Sequence, residues 1–163
     1  MLEYNERILV DESGYKQFLD ELEKLKNKSL SIATNGSESY KAAVGDGWHD
    51  NFDFEESMRE SRTISARIDK MLMEEKKLKL VIKEKLNENI VNIGDTVKIE
   101  IIYSDDDTEI EIVTLTGKYI PNIDDEITLN SPLGRAIFKK KIDSINEYKV
   151  NDKVIKVKLI EKM

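Results

Sequence analysis

At 163 residues the chain has room for one α+β unit or two small ones, and its 36% charged and 39% apolar residues, with 7 Gly and 2 Pro, exclude disorder and favour long exposed helices. A formal charge of −7 excludes tight autonomous binding to duplex nucleic acid, which needs clustered Lys and Arg. With no Cys, no apolar run near the ~20 residues that span a bilayer, and no signal-peptide blocks in Met1–Val10, a cytoplasmic protein without disulfides, thiol nucleophiles or membrane contact is expected.

From Glu12 to about Ala33, Tyr15, Phe18, Leu22, Leu25 and Ile32 step by three or four, with Ser29 in the missing place. The spacing predicts an amphipathic helix with a heptad seam, capped by an oxygen of Ser13. Asn35-Gly36-Ser37 disfavours helix, so this element is expected to end early, kink, or resume over Glu38 to Ala43. A second segment from roughly Asp53 to Lys85 has no Gly or Pro, and Phe54, Ser57, Ser61, Ile64, Ile68, Met71, Glu75, Leu78 and Ile82 keep the same alternation. It predicts a helix of about 45 Å at 1.5 Å per residue. Each helix has one narrow stripe to bury, so the two are expected to form an antiparallel coiled-coil hairpin with its tip near Gly45 to Asn51.

After Asn89 the pattern changes. Val91–Tyr103, Glu109–Tyr119 and Glu147–Ile160 alternate apolar with polar residues and predict strands, with Ser104–Thr108 as a hairpin loop and Val150-Asn151-Asp152-Lys153 as a turn. Ser131–Ile142 predicts one short helix, with Ser131 as cap and Pro132 at its first position. The fold class is α+β: residues 1–88 form a helical hairpin and residues 89–163 an antiparallel sheet crossed by one helix.

The chemistry-bearing residues gather at the tip. Between Gly45 and Glu56 lie the carboxylates Asp46, Asp50, Asp53, Glu55 and Glu56 and the aromatic residues Trp48, Phe52 and Phe54, with no Lys or Arg from Lys41 to Arg59. One reading is helix capping, in which Asp50 or Asn51 caps the second helix and the other acids favour its positive dipole end. The other is insertion into a partner, with carboxylates offered to a hard cation such as Mg²⁺ and aromatic rings as contact anchors. His49, the one histidine of the chain, has no Cys or second His to work with, and no zinc or phosphate-loop spacing occurs. Catalysis by the chain alone is therefore not expected.

Several segments carry a family likeness. Gly14-Tyr15, Leu22-Glu23-Lys24-Leu25-Lys26, the tip and Ser65-Ala66-Arg67-Ile68-Asp69 resemble, in order, the N-terminal half of the Gre transcription elongation factors. Ile93-Gly94-Asp95-Thr96-Val97 resembles that family's entry into its FKBP-like domain, and Asn130-Ser131-Pro132-Leu133-Gly134-Arg135-Ala136-Ile137 its Ser-Pro-aliphatic-small-Arg signature.

The resemblance implies a bacterial RNA polymerase-binding protein whose coiled coil enters the secondary channel and whose tip acids help hold the polymerase's Mg²⁺ for cleavage of backtracked RNA. Asp46 and Asp50 would be the shared metal ligands, and Trp48, His49, Asn51, Phe52, Asp53 and Phe54 tip contacts. Ser131, Pro132, Leu133 and Arg135 would face the polymerase. No cofactor is expected on the free chain, the nascent RNA 3′ end would be met only inside the complex, and a monomer is expected. The family tip reads Gly-Asp-x-x-Glu-Asn-Ala-Glu-Tyr; here Asp50 stands for its Glu, and one extra residue separates Asp46 from Asp50. A misplacement beyond ~0.5 Å can defeat a productive site. Two alternatives therefore stay open: a secondary-channel inhibitor without cleavage stimulation, and an FKBP-like prolyl isomerase. The second must contend with a β-rich part whose aromatic residues after Asn89 are Tyr103, Tyr119, Phe138 and Tyr148.

Overall fold

The computed structural model describes residues 7–42, 50–84, 88–104, 107–122 and 126–163, with the backbone alone at 35–42 and 50–54. Its elements run β1 (Ile8–Val10), α1 (Glu12–Ala42), α2 (Asp50–Glu75), β2 (Leu78–Leu80), β3 (Thr96–Ser104), β4 (Asp107–Thr116), β5 (Glu126–Thr128), α3 (Pro132–Ile137), β6 (Ile145–Val150) and β7 (Lys153–Lys162). The fold is mixed α+β. Among the described residues no helix is long and apolar enough to cross a membrane.

By contacts the chain divides into one unit of Met1–Gln17 with Leu78–Met163 and another of Phe18–Lys77. The first strand and the opening turns of α1 therefore belong with the sheet, although composition alone suggests a division at 88/89. The cause is β1, which pairs in parallel with β2 from Ile8↔Leu78 to Val10↔Leu80.

In the helical unit the predicted stripe is the buried one: Phe18, Leu22 and Leu25 on α1, Ile64 and Met71 on α2. Among the described residues two ion pairs join the helices, Arg67 Nη2 to Glu21 Oε1 and Lys28 Nζ to Glu60 Oε1, both at 2.7 Å. Advancing from 21 to 28 on α1 goes with retreating from 67 to 60 on α2, so the helices are antiparallel. Both pairs are solvent-exposed and contribute only about 0.2–1 kcal/mol each, which leaves the apolar stripe as the main stabilising term.

Three expectations change here. Helix α1 runs through Asn35-Gly36-Ser37 without a break; a mid-helix Gly costs only ~1 kcal/mol, less than interrupting a 31-residue element. The cap of α1 is Asp11, not Ser13: Asp11 Oδ1 accepts the Gly14 N–H at 2.8 Å and the Ser13 hydroxyl at 2.7 Å. Helix α2 stops at Glu75 rather than Lys85, because Leu78–Leu80 is taken by pairing with β1.

The five-stranded sheet has order β5-β4-β3-β7-β6, antiparallel except for the β4–β5 pair. Alternate residues Val97, Ile99 and Ile101 of β3, Val113 and Leu115 of β4, and Val157 and Leu159 of β7 point to one buried face. Leu9, Val91, Ile93, Leu129, Ala136, Ile137 and Phe138 complete that core. The β6–β7 turn is as expected: Asn151 and Asp152 both have positive φ, 48° and 66°, the geometry of a type I′ hairpin turn.

Strand β3 starts at Thr96, later than the predicted Val91, because residues 91–95 form a turn through Gly94 at φ 80°. Helix α3 is six residues long and ends at Ile137 instead of Ile142. Residues beyond it pair with the segment before β3, through Val91 N–H to Lys140 O at 2.9 Å and Ile142 N–H to Asn89 O at 2.8 Å.

Candidate functional site

Two regions carry the residues singled out by the sequence, and each is built by its own unit. The first is the start of α2. Asp50, Asn51, Phe52, Asp53 and Phe54 form its first turns, so Asp50 and Asn51 stand inside the helix rather than ahead of it as caps. Asp46, Trp48 and His49 lie outside the described residues. Glu55 and Glu56 are exposed, and the next basic residue is Arg59. This acidic start lies ten residues beyond Glu60, at the end of the helical unit opposite its connections at 17/18 and 77/78. At 1.5 Å per residue the 26 residues of α2 extend ~39 Å. The acids at the start of α2 thus stand at the end of the unit away from those connections, with no Lys or Arg among them before Arg59.

Among the described residues no group of three or more His, Asp or Glu comes together as a metal site. The acids at this end offer carboxylate oxygens, a donor type that suits Mg²⁺. The seam leading there is thin: Ser29, Ile32, Ser57 and Ser61 are its half-buried members, and the hydroxyl residues contribute little apolar burial.

The second region is the segment from Asn130 to Arg135. Ser131 Oγ accepts the Gly134 N–H at 2.9 Å and donates to Thr128 O at 2.9 Å. Pro132 occupies the first helical position, where its missing N–H costs nothing. Leu133 packs half-buried against the sheet core. Gly134 is required sterically, since a Cβ there would come within 2.0 Å of Thr128 O. Arg135 Nη2 donates to Arg7 O at 2.8 Å. Of the four residues assigned to docking, only Pro132 is exposed; the polar groups of Ser131 and Arg135 make bonds inside their own unit. The motif is first of all a device that holds the fold together.

Beside it opens a cleft of about 480 Å³ lined by Pro132, Arg135, Lys140, Glu147, Tyr148 and Lys149 among others. Three cations face one carboxylate there, so the cleft is basic in an acidic protein. Burial, with Tyr103 and Glu111 nearby, pushes the Tyr148 hydroxyl above its usual range and keeps it neutral.

Sequence reasoning gave no role of their own to Asn130, Asp11 and Asp95. Asn130 enters the sequence reading only as the first residue of the Ser-Pro segment, yet its amide brackets Leu9, accepting from Leu9 N–H at 2.7 Å and donating to Leu9 O at 2.8 Å. Asp95, in the Ile93–Val97 segment, is only 5% exposed. Its carboxylate takes Lys162 Nζ at 2.7 Å, Lys83 Nζ at 3.1 Å and the Asn92 N–H at 2.8 Å. Burial alone would raise its pKa; the bonds from Lys162, Asn92 and Lys83 outweigh that and hold the carboxyl below its ordinary range.

Comparison with known proteins adds a sequence-wide likeness. Residues 86–161 match the family model "Transcription elongation factor, GreA/GreB, C-term". Transcription elongation factor GreA of Clostridioides difficile (strain 630) is 29% identical over 162 residues, covering 98% of each chain. GreA of Acetivibrio thermocellus is 31% identical over 159 residues, covering 96% of each. GreA of Thermosipho africanus is 30% identical over 156 residues, covering 95% of this chain and 96% of that one. A solved structure, GreA factor homolog 1 (Gfh1) of Thermus thermophilus, aligns over 96% of this chain and 99% of its own at 18% identity and a TM-score of 0.42.

Proposed function

The chain belongs to the GreA/GreB family of transcription elongation factors, and from that premise we propose that it binds bacterial RNA polymerase, places the acidic end of its helical unit in the secondary channel, and promotes cleavage of backtracked RNA. The observation that carries this reading is the placement of Asp50 and Asp53 in the first turn of a ~39 Å antiparallel helical rod, far from the unit's connections to the rest of the chain. A thin, long rod with acids at its end suits a site buried deep in a partner.

The two helices are read as a coiled-coil hairpin, supported by the seven-residue step between their ion pairs. The sheet unit is read as FKBP-like, supported by the Ser-Pro segment and its α3. It would rest on the polymerase surface through exposed Pro132 and the basic cleft beside it, whose Arg135, Lys140 and Lys149 favour an acidic counterpart.

In this reading the chain is not an enzyme on its own. Asp46 and Asp50 would help hold the polymerase's Mg²⁺, and the ion when bound supplies Lewis-acid activation of water and stabilisation of the leaving oxygen. The chain's own part is to bring carboxylate oxygens to the ion. Trp48, His49, Asn51, Phe52, Asp53 and Phe54 would line the contact around it.

A second reading rests on the tip sequence. The extra residue between Asp46 and Asp50, and Asp where the family has Glu, can misplace the carboxylates and leave a channel binder that inhibits without cleaving. Backtracked cognate elongation complexes given the purified protein and Mg²⁺ separate the two. Cleavage predicts RNA shortened from its 3′ end, abolished by Asp50→Ala. Intact RNA with slowed nucleotide addition selects inhibition.

A further inference from the structure

Strand β1 is three residues long and leads into α1 with only Asp11 between them. One of its edges is taken by β2, and Val10 O accepts the Val81 N–H at 2.8 Å. Successive residues of a strand present their backbone groups to opposite edges, so the N–H and C=O of Leu9 face away from β2. Both are taken by one side chain, the amide of Asn130, at 2.7 and 2.8 Å. That amide mimics a peptide group and serves β1 as a third strand of a single residue. An Asn matches this pair of bonds because it carries one acceptor and one donor side by side; Asp has no donor and Ala neither.

Neighbouring bonds act on the same short stretch. Arg135 Nη2 holds Arg7 O at 2.8 Å, and Gly117 O receives the Asp11 N–H at 3.0 Å. The first turn of α1 lies so close to this point that a Cβ on Gly14 would come within 2.1 Å of Gly117 O. The root of α1 is therefore fastened from several sides, and the Asn130 amide is the one fastening made by a side chain to both backbone groups of a single β1 residue.

Building on the polymerase-binding reading above, we propose that Asn130 is a positioning residue: it clamps Leu9 and so fixes the strand from which α1 starts, and its contribution to the factor's action runs through β1 rather than through contact with the polymerase. The exposed Pro132 touches the partner, while Asn130 and Arg135 hold the stretch from Arg7 to Leu9, which leads into α1 and pairs through β1 with β2, the strand that follows the acid-bearing α2. A loosened root leaves docking intact but reduces the fraction of bound factor whose acidic end is in place.

The test uses full-length wild type, Asn130→Ala and Asn130→Asp, with Pro132→Ala as the docking contrast. Amide hydrogen exchange on the free proteins is read first. Leu9 and Val81 are expected to exchange about ten-fold faster in Asn130→Ala and less so in Asn130→Asp, which keeps an acceptor for the Leu9 N–H, while amides of β3 and β7 keep their protection. Unchanged exchange at Leu9 in Asn130→Ala overturns the clamp. The concentration dependence of the effect on polymerase is read next. The Asn130 variants are expected to keep half-saturation within about two-fold of wild type and to lose roughly five-fold or more of the maximal effect, whereas Pro132→Ala shifts half-saturation. A shift in half-saturation with an unchanged maximum in the Asn130 variants would mean direct docking and overturns the proposal, as does faster Leu9 exchange with neither quantity changed. If the wild type leaves polymerase unaffected, the functional reading fails by itself, and the exchange pattern alone then decides the clamp.

Discussion

Replacing Asp95 with Asn removes a charge that three donors converge on, and its cost follows from the geometry. Lys162 Nζ at 2.7 Å is mostly sheltered, with its side chain 27% exposed, whereas Lys83 at 3.1 Å is 60% exposed. A charge-assisted bond of the first kind contributes about 1.5–3 kcal/mol and an exposed pair under about 1 kcal/mol. Asn retains an acceptor for the Asn92 N–H, so the loss is about 2–3 kcal/mol. At roughly 3 °C per kcal/mol for a chain of this length, the melting temperature falls by about 6–9 °C.

The pH dependence has a fixed sign. The folded pKa of Asp95 lies below the unfolded value of about 3.9, so its contribution is fully present above that value and is lost as pH falls through the folded pKa. Thermal unfolding followed by circular dichroism should show a constant gap between wild type and Asp95→Asn near neutral pH. That gap should narrow as pH drops below about 4. Equal melting temperatures at neutral pH, or a gap that widens in acid, would refute the reasoning.

Gly134→Ala places a Cβ within 2.0 Å of Thr128 O, a backbone atom that cannot yield without moving the end of β5. A loss of about 3 kcal/mol is expected in urea unfolding, at the upper end of overpacking costs. Asp11→Ala removes the cap of α1 and should cost about 1 kcal/mol in the same assay, while Ser13→Ala should be nearly silent. Asp152→Gly, at a φ of 66° in the β6–β7 turn, should stabilise by about 0.5 kcal/mol, read as a higher urea midpoint at unchanged slope.

Much of the architecture was written in periodicity, and the failures share a cause. Phe18, Leu22, Leu25, Ile64 and Met71 stand on a stripe long enough to be read, and among the described residues they are the ones the helical unit buries. Asn151-Asp152 carries its turn chemistry in two adjacent residues that tolerate positive φ. Strands β1, β2 and β5 have three residues each, too few for alternation to show. Their pairing is a property of distant segments: nothing local in Leu78-Lys79-Leu80 says that Ile8–Val10 will lie beside it, and no Gly or Pro marks the end of α2. The same holds after α3, where Lys139 turns to φ 59° and the chain leaves to pair near Val91.

The candidate site divides along similar lines. Acidity at the start of α2 is a matter of composition and was visible at once. Ser131 and Pro132 announce a helix start and form one. What Arg135 and Asn130 do was hidden, because their partners, Arg7 and Leu9, lie more than 120 residues away in sequence. A motif that suggests a contact surface spends its polar groups on bonds inside its own unit, Ser131 at the start of α3, Asn130 on Leu9 and Arg135 on Arg7.

The central claim is that the acidic end of the helical unit works inside RNA polymerase. A photocrosslinking amino acid in place of Trp48, activated on backtracked elongation complexes, reads its position directly. Crosslinks to the RNA 3′ end and to polymerase residues lining the secondary channel are the predicted result, and crosslinks confined to the outer surface of the polymerase, or none, would contradict it.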